Sequence, residues 1–251
     1  MSEISASDVM ALRQKTGAGV VQCRNALQAC NGDVARAEEQ LRAESRERAG
    51  AKMGREAGEG GIALAIDGLR GALVEINTET DFAARTKEFC ALARDVAELA
   101  LEQGGDVNAL LSANYPGAGV NVKEQIQEIA GGTIRENLRL RRSGVLRASS
   151  GAVVGYVHNK INDDIGRLAA LVAVESSAPP ESLATIGKQL AMHVAANAPR
   201  NVEEMANQDF VMNAKISVAK ALGDASGDIG AEVQLSGFLR FALAEPIDDD
   251  S

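Results

Sequence analysis

Residues that perform chemistry are scarce in this chain. Tryptophan is absent, aromatic residues make up 3% of the 251 residues, and two histidines occur, His158 and His193. Neither histidine has a histidine, cysteine or carboxylate at a recognised metal-ligand spacing. There is no nucleophile elbow and no P-loop, because Gly187-Lys188 is followed by Gln189. We therefore expect no catalytic residue, no metal, no cofactor and no enzymatic activity, and a protein that acts by binding and deforming another protein.

Cysteines and long apolar runs are also few. The three cysteines, Cys23, Cys30 and Cys90, cannot all pair with one another, and we interpret the first two as core thiols on one helix face. The longest aliphatic stretch, Leu168 to Val174, is too short to span a membrane, and the first residues lack a basic and an apolar segment. We expect a soluble, cytoplasmic protein with no membrane partner.

The balance of charge is acidic, since 35 Asp and Glu against 26 Lys and Arg give a net charge of −9. Nucleic-acid binding draws much of its affinity from Lys and Arg that neutralise phosphates, so we expect no direct nucleic-acid partner. One basic cluster comprises Arg135, Arg139, Arg141, Arg142 and Arg147. We expect a solvated strand and helix end with local ion pairs there, in preference to a surface for an acidic partner or RNA.

The first fifth of the chain has the apolar period of helices. The predicted helices are Ser7–Lys15, Val20–Ala29 and Val34–Arg48. Four glycines among the eight residues from Gly54 to Gly61 indicate a domain boundary. We expect a compact three-helix domain over residues 1–53.

Beyond the glycines, a pattern of strand, strand and helix occurs twice. The predicted elements are strands 61–66 and 71–77 with helix 84–103, then strands 153–157 and 167–175 with helix 181–198, besides a helical stretch at 122–137 and a last strand at 231–243. The fold class is therefore α+β, with a core of two related antiparallel-sheet-plus-helix subdomains. We expect core subdomain N over residues 54–144 and core subdomain C over 145–251, with a short C-terminal segment.

The junction from Asn77 to Arg85, between a strand and a long helix, has two interpretations. In the first, Thr80 or Asp81 caps the helix and Phe82 packs against it as a hydrophobic staple. In the second, the strand end is a rigid support, from which Phe82 enters an apolar cleft of a partner with Asp81 as a charge beside it. The residues by themselves favour the cap.

The same junction, Asn77-Thr78-Glu79-Thr80-Asp81-Phe82-Ala83-Ala84-Arg85, resembles the signature of the translation elongation factor Ts family. Further segments agree with that family in the right order along nearly the whole chain. They are Leu12–Gly19 with Cys23 and Ala26-Leu27, Asn31-Gly32-Asp33, Arg135-Glu136-Asn137 with Arg141-Arg142, Ala191–Ala196 with Pro199, and Gly237–Phe241.

The resemblance implies a ubiquitin-associated-like N-terminal docking domain and a two-part α+β core. It also implies a nucleotide-exchange factor that binds elongation factor Tu with GDP, displaces Mg²⁺ and promotes GDP release during translation elongation. By that analogy the Mg²⁺-displacing segment is Thr80, Asp81, Phe82 and Ala83. Additional partner contacts are expected at Lys15, Gly17, Gly19, Arg24, His158 and His193.

This chain departs from the family pattern in three places. Ala83 stands where the family usually has Val, and Gln22-Cys23-Arg24 stands where it has Asp-Cys-Lys. Many members also carry a long helical insertion after the segment that matches His193-Val-Ala-Ala, whereas here Pro199 is followed almost at once by sequence that resembles the far side of that insertion. Contacts that the insertion carries are not expected here.

Two other functions remain as alternatives. The three-helix module alone is typical of a ubiquitin-associated protein-binding adaptor without exchange activity, which a pull-down with ubiquitin beside the GTPase would distinguish. A small-molecule enzyme with a carboxylate site is the second, and it would turn over a substrate without a protein partner. The sequence leaves open whether the protein is a homodimer.

Overall fold

The computed structural model describes residues 4–246, which form ten α-helices and eight β-strands. The helices are α1 (Ala6–Thr16), α2 (Val20–Ala29), α3 (Val34–Gly50), α4 (Asp81–Ala84), α5 (Lys87–Gln103), α6 (Val107–Ser112), α7 (Val122–Gly131), α8 (Pro180–Asn197), α9 (Val202–Asn207) and α10 (Val218–Ile229). The strands are β1 (Glu59–Asp67), β2 (Arg70–Thr78), β3 (Arg139–Arg147), β4 (Ala152–Lys160), β5 (Ile165–Glu175), β6 (Asp209–Phe210), β7 (Asn213–Ser217) and β8 (Gln234–Ala242). The α+β class predicted from the sequence is confirmed.

The chain forms two compact units, each built from separate segments of the sequence. Unit 1 contains the residues up to Glu59, Asn77–Leu92 and Asn114–Arg139. Unit 2 contains Gly60–Ile76, Ala93–Ala113 and the residues from Leu140 onwards. The predicted division at residues 53 and 144 into a docking domain and two subdomains stays a prediction, and its residues 1–3 and 247–251 lie outside the described range.

In unit 1, local signals set the helix ends. Ser5 caps α1 by accepting a hydrogen bond from the Asp8 amide, and Asp33 caps α3 by accepting one from the Arg36 amide. Gly17 ends α1 with a φ of 66°, a left-handed conformation that favours glycine. Apolar side chains of the three helices form one buried cluster, with Val9, Leu12, Ala18, Cys23, Ala26, Leu27, Ala37 and Leu41. The helices predicted for residues 6–48 are therefore confirmed.

Helix α3 also packs closely against α7. Arg42 and Arg46 both form ion pairs with Glu128, a carboxylate that is 9% exposed. At Gly131 a Cβ atom would overlap the main chain of Ser45, so only glycine permits this approach of the two helices. The ion pairs and the close approach together join the three N-terminal helices to α7.

In unit 2, a six-stranded sheet has the order β3-β2-β1-β5-β4, with β8 also paired with β5. Strand β4 pairs antiparallel along the length of β5, from Ala152↔Val174 to Lys160↔Gly166. Strand β4 occupies one edge of β5, and β1 and β8 both pair with the opposite edge. Strand β1 pairs with β5 at Gly166, and β8 pairs with it from Leu168 to Glu175. Strands from both halves of the predicted core therefore lie in one sheet, on which α8 packs.

A buried carboxylate joins three segments of unit 2. Glu75 of β2 has no exposed surface, and it accepts hydrogen bonds from Arg141 Nη1 (2.9 Å), Arg142 Nε (2.7 Å) and the Ala244 amide (3.1 Å). The Arg142 guanidinium also lies 4.3 Å from the centre of the Phe241 ring. The prediction of a solvated basic cluster is wrong for Arg141 and Arg142, because both are largely buried on Glu75.

Two helices are shorter than the apolar period predicts. The helix predicted for residues 84–103 is interrupted at Arg85–Thr86, where the Thr86 hydroxyl accepts a hydrogen bond from the Phe89 amide and caps α5. The stretch predicted for residues 122–137 is helical only as far as Gly131, where a second glycine, Gly132, follows directly, and Arg135 farther on has a left-handed φ of 62°.

Candidate functional site

The Thr80–Ala83 segment lies where β2 gives way to the single turn of α4. Thr80 is the extended N-cap residue, and its hydroxyl oxygen accepts a hydrogen bond from the Ala83 amide at 3.3 Å. Ala83 and Ala84 are buried, which ties the turn to unit 1. Thr80 is therefore a helix cap as predicted, but it caps the single turn of α4 and not the long helix α5, and Ala83 serves as part of the support.

Phe82 projects away from this support. Its exposed fraction is 79%, the highest among the exposed large hydrophobic residues of the described range. The prediction that Phe82 packs as a staple is therefore wrong. A solvated phenylalanine ring on a fixed turn holds apolar area whose burial by a partner would contribute about 1.5–3 kcal/mol.

The neighbouring carboxylate is also accessible. The Asp81 side chain is 50% exposed, and its Oδ2 lies 3.9 Å from Nε of Arg85, whose side chain is 59% exposed. Such a long surface ion pair contributes little to stability and opens easily. Asp81 can therefore present a negative charge beside the exposed ring.

Glu136 fastens the segment from the loop that follows α7. Its Oε2 accepts hydrogen bonds from Thr78 Oγ1 (3.0 Å) and from the Thr80 amide (2.9 Å), and its Oε1 accepts one from Thr80 Oγ1 (2.7 Å). The Glu136 carboxylate thus fixes the side chains of Thr78 and Thr80 and also the main-chain amide of Thr80. Sequence reasoning missed this role, although Glu136 lies in a segment that matches the family.

The residue between the two threonines is held as well. Glu79 Oε1 accepts a hydrogen bond from the amide of Asn137 at 2.7 Å. The buried Asn137 side chain in turn donates to the Arg55 carbonyl at 2.8 Å. Residues 78–80 therefore have partners at three successive side chains, and Asp81 and Phe82 start from a support with little freedom.

Comparison with known proteins identifies the family. The model of the family described as Elongation factor TS matches residues 79–206. The chain is 38% identical over 296 residues to an elongation factor Ts from Sphingopyxis alaskensis, with 100% of this chain and 96% of the relative covered. It is 37% identical over 295 residues to one from Rhizobium etli, with the same coverage, and 36% identical over 293 residues to one from Methylorubrum extorquens, with 100% and 95% covered. The chain belongs to the elongation factor Ts family.

This member is shorter than its relatives. The alignment with the Sphingopyxis elongation factor Ts runs over 296 residues, 45 more than the 251 of this chain, so that relative contains segments that are missing here. The sequence places the missing insertion after Pro199. In the structure, Ala198 ends α8 with a left-handed φ of 46°, and α9 begins at Val202. The connection at this point is therefore short and direct.

Two glycines that the family resemblance marks as partner contacts also have roles within unit 1. Gly17 ends α1, and a Cβ there would meet the Thr133 side chain. Gly19 precedes α2, and its amide donates a hydrogen bond to Gln22 Oε1 at 3.0 Å. Gln22, a departure from the family pattern, thus caps α2. A contact with a partner through either glycine stays a prediction.

Lys15 and Arg24, the basic residues marked in the same way, are exposed. Lys15 Nζ lies 3.1 Å from Glu38 Oε2, and its side chain is 58% exposed. A surface ion pair of this kind leaves the ammonium group available to a partner. The partner contacts expected from both residues stay predictions.

The two histidines have opposite surroundings. His158 on β4 is exposed, and its Nδ1 lies 2.9 Å from the Tyr156 hydroxyl. His193 on α8 has no exposed surface, and burial lowers its pKa. Its Nδ1 accepts a hydrogen bond from the Val211 amide at 3.2 Å, so the ring hydrogen is on Nε2, 2.8 Å from Gln208 Oε1. We therefore interpret His193 as a packing residue, and a direct partner contact would require a rearrangement around it.

Groups for other chemistry are few in the part of the chain that the structure describes. Residues 4–246 contain no set of three or more His, Cys, Asp or Glu side chains that could hold a metal ion. None of the helices in this range combines the length and apolar character that a membrane crossing requires. The exposed Asp81-Phe82 pair on its fixed turn is therefore the strongest candidate site.

Proposed function

We propose that this chain is a nucleotide-exchange factor that binds elongation factor Tu with GDP, displaces Mg²⁺ and promotes GDP release. Membership of the elongation factor Ts family assigns the chain to translation elongation. The observation that supports the finer proposal is Phe82, which is 79% exposed on a turn whose supporting residues are fixed. We further propose that the chain acts in the cytoplasm on this protein partner, without covalent chemistry or a cofactor of its own.

In this proposal the ring of Phe82 enters an apolar cleft of the GTPase. Exchange requires that the factor binds the nucleotide-free state better than the GDP-bound state. Each tenfold acceleration of GDP release needs about 1.4 kcal/mol of barrier lowering, so burial of one phenylalanine accounts for roughly one or two decades. The rest of the acceleration comes from the wider docking surface and from the disturbed metal site.

Asp81 acts on the charges of that metal site. Mg²⁺ prefers oxygen ligands in near-ideal octahedral geometry. A carboxylate brought beside it competes for the metal and repels the GDP phosphates. The weak pair with Arg85 at 3.9 Å keeps Asp81 near the ring without neutralising it strongly.

Glu136 is a positioning residue in this mechanism. It touches neither nucleotide nor metal, but its hydrogen bonds to Thr78 and Thr80 fix the direction in which α4 begins. A fixed direction lowers the entropy that the segment loses on binding. The remaining candidate contacts, Lys15, Arg24 and His158, belong to the docking surface.

A stopped-flow measurement tests the proposal. Fluorescent GDP is released from elongation factor Tu with and without this chain, and the chain should accelerate release in a saturable manner. Linkage requires that GDP weakens binding of the chain by the same ratio by which the chain weakens binding of GDP. Unchanged release at saturating chain would reject the proposal, and capture of ubiquitin in place of the GTPase would favour the adaptor alternative.

A further inference from the structure

Unit 1 contains a small basic pocket between the end of α3 and the end of α7. Its volume is about 200 Å³, and it is lined by Gln22, Arg48, Lys52, Gly131, Gly132 and Arg135. Half of these residues are cationic and none is acidic, in a chain whose net charge is −9. The side chains that line the basic pocket are therefore positively charged, whereas the protein as a whole is negatively charged.

The two arginines are anchored at the carbonyl end of α7. Arg48 Nε donates a hydrogen bond to the Gly131 carbonyl at 3.1 Å, and Arg135 Nε donates one to the Gly132 carbonyl at 3.3 Å. These contacts cap the helix, whose end carries a partial negative charge of about half an elementary charge. The guanidinium groups keep further N–H donors, and the contact between Gly131 and Ser45 makes the wall rigid.

The positive charge of the basic pocket is only partly compensated. Arg48 has a surface pair with Glu44 at 3.5 Å. Within residues 4–246, the Lys52 ammonium has no hydrogen-bond or ion-pair partner, although the side chain is half-buried. Burial and the neighbouring arginines lower the pKa of Lys52, and the nearby negative charge of Glu79 offsets part of that effect. Two other arginines of α3, Arg42 and Arg46, by contrast share the carboxylate of Glu128.

We propose that the basic pocket binds a phosphate-type oxyanion, either as free phosphate or as the terminal phosphate of a small ester. Two guanidinium groups and an ammonium group supply donors from several directions, which suits a tetrahedral dianion better than a planar monoanion. The pocket is several times larger than the space one water needs, so it has room for a four-oxygen anion. This inference does not depend on the exchange activity.

Nuclear magnetic resonance titration of the full chain tests the proposal. Sodium phosphate is added at constant ionic strength, with sodium chloride as the reference salt, while the amide signals of residues 48–52 and 131–135 are followed. Phosphate should shift these signals saturably at millimolar concentration, and chloride should not. A parallel titration with a nucleoside monophosphate identifies the source, because tighter binding assigns the ester and equal or weaker binding assigns the free ion.

Variants with matched controls locate the site. Lys52→Gln and Arg135→Gln should each weaken phosphate binding by about tenfold, because each removes a charged donor. Arg135→Lys keeps the charge without the Nε contact to Gly132, so it should bind better than Arg135→Gln. Lys188→Gln, which removes an exposed lysine of α8, should bind phosphate like the original chain.

Three results would overturn the proposal. They are equal shifts with chloride and phosphate, a titration that does not saturate, and unchanged phosphate binding in Lys52→Gln. Within residues 4–246, the Lys52 ammonium has no hydrogen bond or ion pair to lose, so this variant is expected to fold normally. Circular dichroism of each variant checks that a loss of binding is not a loss of structure.

Discussion

Strand β2 and the turn after it contain a buried charge and an exposed aromatic ring. Glu75 has no exposed surface, whereas Phe82 is 79% exposed. Carboxylates are almost never fully buried unless they are paired, and the fold itself supplies the pairing for Glu75 through Arg141 and Arg142. Within the described residues, no other side chain covers most of the Phe82 ring. The buried charge of Glu75 thus stabilises the fold, whereas the exposed ring of Phe82 indicates a binding partner.

The largest expected effect is on stability, at Glu75. Glu75→Gln keeps the size of the side chain but leaves two largely buried arginines without their carboxylate. We expect the free energy of unfolding to fall by roughly 3–5 kcal/mol, as in other broken buried pairs. Urea unfolding measures this, with Glu98→Gln on the exposed face of α5 as the control. A loss below about 1 kcal/mol would show that the cluster contributes no more than a surface pair.

The next effect is on exchange, at Phe82. Phe82→Ala removes area that is buried only in the complex, so GDP release at saturating factor should slow by about tenfold or more. The free energy of unfolding should change by less than about 0.5 kcal/mol. Leu69→Ala, which trims another exposed apolar side chain, is the matched control. A Phe82 variant that melts early and exchanges normally would make the segment purely structural.

A smaller effect on exchange is expected at Glu136, which stabilises the turn that carries the partner-binding residue Phe82. Glu136→Gln replaces one accepting oxygen with an amide donor, so at least one hydrogen bond to Thr78 or Thr80 must be lost or reverse its direction. Exchange should slow by roughly threefold to tenfold, for a hydrogen bond of about 1 kcal/mol. The decisive measurement is a double-mutant cycle with Phe82→Ala. If Glu136 acts through the ring, it should have little further effect in that background, and additive losses would refute the positioning role.

The smallest effect concerns His193, the buried histidine. The pKa of His193 is lowered by burial, so the unfolded chain binds more protons than the folded chain below about pH 6.5. His193 therefore contributes stability above that pH, and this stability is lost as the pH falls, by at most about 1.4 kcal/mol per pH unit.

Unfolding curves between pH 7.5 and about pH 5 measure this contribution. The pH dependence should become smaller in His193→Gln than in the original chain. A slope that is equal in the original chain and in His193→Gln would assign the acid sensitivity to other groups.

Local signals in the sequence predicted much of the fold. The helices of residues 6–48 have apolar periods and side-chain caps, and β1 and β2 are short apolar runs on either side of the turn at Asp67-Gly68, so each is specified by near neighbours. The break at Thr86 was missed because a single hydroxyl cap is enough to restart a helix inside an apolar period. Helix α10 was missed as well, within the stretch between the predicted helix 181–198 and the last strand.

The sequence predicted which segment forms the candidate site, but not the exposure of its side chains or the contacts that hold it. The family resemblance indicated Thr80–Ala83 as the site, yet the residues by themselves favoured a hydrophobic staple for Phe82. An aromatic ring directly after a cap residue is compatible with a staple and with a partner contact alike. Glu136 lies 56 residues beyond Thr80, and contacts over such a distance leave no periodic signal. The burial of Glu75 was equally hidden, since its arginine partners lie 66 and 67 residues away.

The close fit of Gly131 against α3 bears on how chains of this kind can be recombined during evolution. Every amino acid other than glycine carries a Cβ, so no substitution at residue 131 preserves the contact with Ser45. The partners Arg42, Arg46 and Glu128 lie on the same two helices. A gene crossover between α3 and α7 would join halves that were never fitted to each other. The three N-terminal helices and α7 are therefore inherited best as one unit, although more than seventy residues separate them in the sequence.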